Sequence, residues 1–183
     1  MVAPQSHQPA DTPVRGDQAR FAVPGHDQVQ ITEAVLRDLD VLLAIEEASC
    51  LSPWTRKMLE AELSGNPFST VLTAQKAGQG EPDKKVLGFL CFWMVFEELR
   101  IMDVAVHPEA RRQGIASALL TEMLIRARAR GMRHVQLEVR ESNLAALTLY
   151  QRLGFERQAV RKQYYSHPSE DAVLMELILS VEP

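Results

Sequence analysis

An α/β domain of the α+β kind, with a mixed central sheet of about seven strands flanked by about four helices, is the fold class the sequence predicts. Three observations carry that prediction. Apolar residues recur at helical spacing between Thr32 and Leu63 and again from Ile115 to Ala127. Between these regions stand runs rich in β-branched and aromatic residues, 68–74, 86–96 and 99–107. Strict apolar-polar alternation then marks 134–140. The resulting order, β-α-α-β-β-β-α-β-α-β-β, has an antiparallel first half and a βαβ unit from Leu99 to Arg140.

Leu36, Leu39, Leu42, Leu43 and Ile45 form one helical stripe, broken near Ser49-Cys50-Leu51-Ser52-Pro53. Ser52 reads as a helix cap followed by proline at the first helical position, so a second helix is expected from about Pro53 to Leu63. Gly65-Asn66-Pro67 stops it. The polar 76–85 stretch, with its Gly and Pro, joins two strands as a hairpin. Leu99 to His107 is apolar on both faces, with Ile101 and Ala105 set against Met102, Val104 and Val106, as in a strand covered on both sides. From Gly114 the period becomes that of a helix, with Ile115, Leu119, Leu120, Met123, Leu124 and Ala127 in one stripe ending at Gly131. Val135, Leu137 and Val139 then face one way and His134, Gln136, Glu138 and Arg140 the other. Ser142-Asn143 caps a helix that closes at Leu153-Gly154, and 155–164 and 172–179 finish as strands.

The 183 residues suffice for one domain with a sizeable core. Residues 1–28, rich in Pro, Gln, Asp, His and Ser, are expected to be a flexible tail, and 29–183 the folded domain. The tail lacks the apolar segment of a secretory signal, and Asp11, Asp17 and Asp27 count against a transit peptide. No stretch approaches the roughly 20 apolar residues that span a bilayer. A net charge of -4 argues against bulk electrostatic binding of nucleic acid and is compatible with a cationic substrate. Cys50 and Cys91 show no metal-ligand or disulfide spacing, so no metal is expected and a reducing cytoplasm is.

The chemistry concentrates where the strand ending at His107-Pro108 runs through Arg111-Arg112-Gln113-Gly114-Ile115-Ala116 into a helix. Free backbone N–H groups at a positive helix end make a seat for phosphate, Gly114 permits close approach, and Arg111 and Arg112 supply charge. Taken alone, the hexapeptide also fits an ordinary basic loop carrying a glycine. No GxxxxGK[ST] or GxGxxG motif is present, which counts against a nucleotide-binding protein.

An apolar strand, Val104-Ala105-Val106-His107-Pro108, followed by R/Q-x-x-G-x-G/A resembles the acetyl-CoA signature of the GNAT acetyltransferases. Two further blocks, 137–147 with its L-E-V-R-x-S-N and 149–155 with its L-Y-x-x-L-G-F, are similar to the strand and helix that follow in that family. Within it, the chain looks closest to the RimI branch, bacterial enzymes that acetylate the N-terminal alanine of a small-subunit ribosomal protein. Ser52-Pro53-Trp54, Arg161-Lys162-Gln163-Tyr164-Tyr165 and Glu170-Asp171-Ala172 carry that finer likeness, which spans about Ile31 to Leu179. Two departures are Ala116, where many members have glycine, and Ser52, where phenylalanine is usual before Pro-Trp.

The resemblance implies that acetyl-CoA pairs with the backbone of Val104, Ala105 and Val106 and seats its pyrophosphate on Arg111, Arg112, Gln113, Gly114, Ile115, Ala116 and Ser117, with Asn143 also on the coenzyme. It implies Glu138 as proton acceptor and Tyr150 as proton donor, with Trp54, Tyr164 and Tyr165 walling a peptide groove. Glu46, Glu47, Glu97 and Glu98 are candidates to attract basic residues of the acceptor. By residue type alone, Glu138 also fits a solvated strand position, Tyr150 a helix core and Asn143 a plain cap. The implied reaction needs a neutral amine and a proton for the departing thiolate. An α-amine titrates near ~7.7–8.0, so a weak carboxylate base suffices, and a tyrosine near ~10 stays protonated to act as the acid. The implied partner is a protein N-terminus, with neither nucleic acid nor membrane. Acetylation of a lysine side chain or small amine, and a non-catalytic acetyl-CoA-binding module, remain the alternatives.

Overall fold

The structure is a computed structural model and describes residues 19–23, 26–76 and 85–180. Its strands are β1 (Ala19–Val23), β2 (His26–Glu33), β3 (Ser69–Lys76), β4 (Val86–Val95), β5 (Glu98–Val106), β6 (His134–Arg140), β7 (Glu156–Ser166) and β8 (Ser169–Ile178). Its helices are α1 (Leu39–Ser49), α2 (Arg56–Ser64), α3 (Ile115–Ala129) and α4 (Leu144–Arg152). All eight strands form one sheet in the order β1-β2-β3-β4-β5-β6-β8-β7. Every pairing is antiparallel except β5 with β6, the two strands joined through α3.

The additional strand corrects the expected tail. Residues 19–23 pair with β2, and β2 itself begins at His26, so the sheet reaches into the segment read as flexible through residue 28. An edge strand is held by its backbone ladder, and composition does not report that bond. Residues 1–18 of the expected tail lie outside the described residues. Thr32 and Glu33 likewise belong to β2 and not to the first helix.

Alternation puts two apolar layers on the sheet. On β4, Leu90 and Phe92 join the larger core under α3 and α4, with Leu119, Leu120, Met123, Leu137 and Phe155. Phe89 and Cys91 face the other way, onto Leu42 and Ile45 of α1 and Leu59 of α2. The expected stripe of α3 is buried throughout, from Ile115 to Ala127.

The second helix starts later than expected. Thr55, not Ser52, caps α2, its side chain accepting from the Met58 amide at 3.4 Å. The Ser52 hydroxyl is spent elsewhere, donating to the His167 carbonyl at 2.8 Å.

A bulge in β5 overturns another expectation. The register passes from Cys91↔Asp103 to Phe92↔Ile101, so Met102 is an extra residue. One extra residue exchanges the faces beyond it. Ile101 therefore shares the larger core with Val104 and Val106, while Met102 and Ala105 turn to the α1–α2 side.

Candidate active site

The parallel strands β5 and β6 touch only from Glu98↔His134 to Arg100↔Gln136. Past that point β5 follows β4 to Val106, and β6 follows β8 to Arg140. The sheet is thus split by a wedge-shaped opening, widest toward Val106 and Arg140.

The backbone of β5 that borders this opening can be read from the ladder. His107 N–H donates to Leu87 O at 2.9 Å. With Phe89 opposite Ala105, the alternation of an antiparallel pair binds Ala105 to β4 and turns the backbone groups of Val104 and Val106 toward the opening. Ser49 Oγ (3.0 Å) and Arg111 Nε (3.3 Å) already donate to the Val106 carbonyl. Val104 N–H donates to the Asp103 carboxyl. The Val104 carbonyl and the Val106 amide remain as an edge to which an extended amide-bearing ligand can add. Of the three residues expected there, Ala105 keeps its backbone in the β4 ladder.

At the wide end lies the start of α3. Gly114 caps it at φ 82°, in the left-handed region, with no side-chain cap. The first helical bond runs from Ala118 N–H to Gly114 O at 2.9 Å, so the amides of Ile115, Ala116 and Ser117 have no intrahelical acceptor. Arg112, also at positive φ, is exposed beside them. Arg111 turns back, donating from Nη2 to Ser49 O at 3.2 Å, and Gln113 donates to Glu109 O at 2.8 Å. Of the basic pair, Arg112 is the guanidinium free of these structural ties.

On the β6 side, Glu138 and Arg140 share a face. The Arg161 guanidinium sits 2.7 Å from Glu138 Oε1, and the Tyr164 hydroxyl donates to the same carboxylate. Tyr164 and Tyr165 pack edge to face at 5.2 Å. Tyr150, on α4, is buried with its ring against Phe155 at 5.6 Å. Burial pushes its hydroxyl above the ordinary tyrosine value, so Tyr150 stays protonated. Asn143 caps α4, Oδ1 accepting from the Ala146 amide at 3.1 Å, which leaves its Nδ2 as a donor at the same mouth. Trp54 packs against the α1–α2 core, its amide held by Glu46 Oε1 at 3.0 Å.

A buried acidic pair went unread in the sequence. Asp103, turned to the α1 side by the bulge, is hydrogen-bonded to Glu46, which is only 1% exposed. A hydrogen bond between two carboxyls requires a proton between them. Burial first, then the Glu46 charge, hold the Asp103 carboxyl well above the usual range, and its Oδ2 has no partner. Cys50 Sγ completes the cluster, donating to Glu46 Oε2 at 3.2 Å. Burial also pushes the thiols of Cys50 and Cys91 up, so neither is a ready thiolate nucleophile. The signal for Asp103 was a lone carboxylate within the apolar run 99–107.

The acidic residues proposed as attractants separate. Glu46 is buried, which removes it from the surface. Glu97 and Glu98 lie at the closed end of the wedge, where the Glu97 carboxylate pairs with Arg133 at 3.4 Å. Glu47 alone is exposed on the α1 side.

The profile of the acetyltransferase (GNAT) family matches residues 39–155. The [ribosomal protein bS18]-alanine N-acetyltransferase of Escherichia coli (strain K12) is 33% identical over 146 residues, covering 79% of this chain and 93% of that protein. A crystal structure of the ribosomal-protein-S18-alanine N-acetyltransferase from Escherichia coli superposes with a TM-score of 0.75 at 29% identity, covering 85% of this chain and 96% of that one. That of Ard1 from Thermoplasma volcanium superposes with a TM-score of 0.72 at 28% identity, covering 83% and 98%.

Proposed function

Since the chain belongs to the GNAT family of acetyltransferases, we propose that it moves the acetyl group of acetyl-CoA to the α-amine of an N-terminal alanine of a small-subunit ribosomal protein, by direct attack within a ternary complex. The observation that supports this reading is the splitting of β5 from β6, which leaves an opening beside the uncapped start of α3 and the strand that carries Glu138. The acceptor is the one named for the Escherichia coli relative, and the likeness to it covers both sides of the opening.

The residues fit the donor. Val104 C=O and Val106 N–H offer an amide edge for the pantetheine arm, and the unbonded amides of residues 115–117, with Arg112, suit a pyrophosphate. Bound there, acetyl-CoA supplies an activated thioester. Glu138, held by Arg161 and Tyr164, takes the proton from the α-amine directly or through water. Tyr150, kept protonated by burial, supplies the proton at the departing sulfur. Trp54, Tyr164 and Tyr165 wall the acceptor's path. The free thiols and the absence, among the described residues, of a helix long and apolar enough to cross a membrane accord with action in the cytoplasm.

Peptides beginning with alanine, serine and acetyl-alanine, each with an internal lysine, test the reading when incubated with acetyl-CoA. Label is expected on the free α-amines alone. Transfer to the lysine of the blocked peptide at an equal rate would replace the N-terminal acceptor with a side-chain amine.

A further inference from the structure

We propose that Arg140 is a positioning residue for the acceptor, and that it acts by tying the loop between α1 and α2 to the turn between β7 and β8, with Ser52 as the latch. The proposal rests on the acceptor reading above, because the tied segments are the ones that carry Trp54 and Tyr165.

Arg140 stands at the end of β6, on the face of Glu138 and two residues beyond it, so the two are roughly 7 Å apart along the strand. Its guanidinium spends its donors on the two loops. Nη2 donates to Ser52 Oγ (3.2 Å) and to the His167 carbonyl (3.1 Å). Nη1 donates to the Pro168 carbonyl (3.2 Å) and to Glu170 Oε2 (3.2 Å). Cζ of the same group lies over the Tyr165 ring, 4.0 Å from its centroid. Ser52 Oγ closes the circuit by donating to His167 O at 2.8 Å. Glu170 carries the tie one step further, Oε1 accepting from the Ser142 amide at 2.6 Å beside the Asn143 cap.

This geometry uses what only a guanidinium offers, a rigid fork with several donors and a flat face for stacking. The Arg140 side chain is 12% exposed and Glu170 17%, so that pair is largely shielded from competing water, while the Ser52 hydroxyl lies at the surface. Ser52 is the member that reaches across from the α1–α2 loop, at the position where Arg140 and the His167 carbonyl meet. With the loops tied, the segment carrying Trp54 and the end of β7 carrying Tyr165 are held at a fixed spacing, and an acceptor peptide that meets both finds a preformed wall.

The test compares Ser52→Ala, Arg140→Lys and Arg140→Gln with the unaltered protein, measuring steady-state kinetics with an alanine-starting peptide, acetyl-CoA affinity by calorimetry, and amide hydrogen exchange. Ser52→Ala is expected to raise the peptide KM about threefold to tenfold, the scale of two exposed hydrogen bonds partly replaced by water. Arg140→Gln should raise it more than about tenfold, and lysine, a single point charge, should not rescue. In all three, acetyl-CoA affinity should stay within about twofold, and exchange should rise together at 51–55 and 165–169 but not at 115–118. Ser52→Ala removes an exposed oxygen and is the variant that keeps the test open should Arg140→Gln fail to fold. A peptide KM within about twofold of the parent, with exchange unchanged in either loop, overturns the proposal. So does a coenzyme affinity that falls in step with peptide affinity. If the unaltered protein acetylates no free N-terminus, the acceptor reading fails, and the paired exchange at the two loops still decides whether the latch exists.

Discussion

Two side chains carry the proposed proton transfers, and their surroundings set different expectations. Tyr150 is buried against Phe155 and held protonated, so removing its hydroxyl leaves the packing in place. Tyr150→Phe is expected to lower kcat by on the order of 10²-fold while acetyl-CoA binding stays within about twofold. Unchanged turnover at saturating peptide would rule Tyr150 out as the acid. Glu138 is bound on two sides, by Arg161 and by Tyr164. Glu138→Gln should lower kcat comparably, read in initial rates at saturating peptide and acetyl-CoA. The resemblance alone singled out both positions, since residue type left a solvated strand glutamate and a helix-core tyrosine equally open. Their partners were not legible, because Arg161 and Tyr164 reach Glu138 through the β8 strand that lies between β6 and β7.

At the scale of elements, two glycines hold the donor side in place for different reasons. Gly114 starts α3 at φ 82°, where any Cβ is strained. Gly114→Ala is expected to cost about 1 kcal/mol or more in stability and to weaken acetyl-CoA binding, both visible by calorimetry. Gly88 is instead a matter of space, since a Cβ there would lie 2.7 Å from the Ala105 carbonyl oxygen and 3.2 Å from Val106 Cα. Gly88→Ala should cost about 1–3 kcal/mol through overpacking, seen as a lower urea midpoint, and should disturb the β5 edge beside the opening. Elements with strong periodicity, α3 and β6, were plain in the sequence, buried stripe and all. The start of α2 was not. Ser52-Pro53 has the form of a cap, but its hydroxyl gains two tertiary bonds at Arg140 and His167, and the helix begins at the next good cap, Thr55.

Across the whole molecule, the topology brings together groups that no local pattern connects. Glu46 and Asp103 meet because a one-residue bulge turns β5 toward α1, and the alternation assumed from sequence gave no sign of it. Their contact makes a global prediction. Asp103 keeps its proton in the folded protein, whereas an unfolded aspartate titrates near ~3.9. The folded state then holds the extra proton, so this group lowers stability as pH rises from about 4 toward its folded value, by up to ~1.4 kcal/mol per pH unit. Asp103→Asn removes that slope while retaining a donor to Glu46. The fall in urea midpoint between pH 5 and pH 8 should be smaller in the variant; an equal fall in both proteins would show that Asp103 does not hold the extra proton.

The architecture follows a single geometric fact, the parting of two parallel strands, and the function proposed for it turns on which amine enters there. Mass spectrometry of the ribosomal protein N-termini, in cells with and without the gene, measures that most directly. Loss of the acetyl group from an N-terminal alanine of a small-subunit protein, restored by the intact gene and not by Tyr150→Phe, is the result expected. N-termini equally acetylated with and without the gene would contradict the assignment.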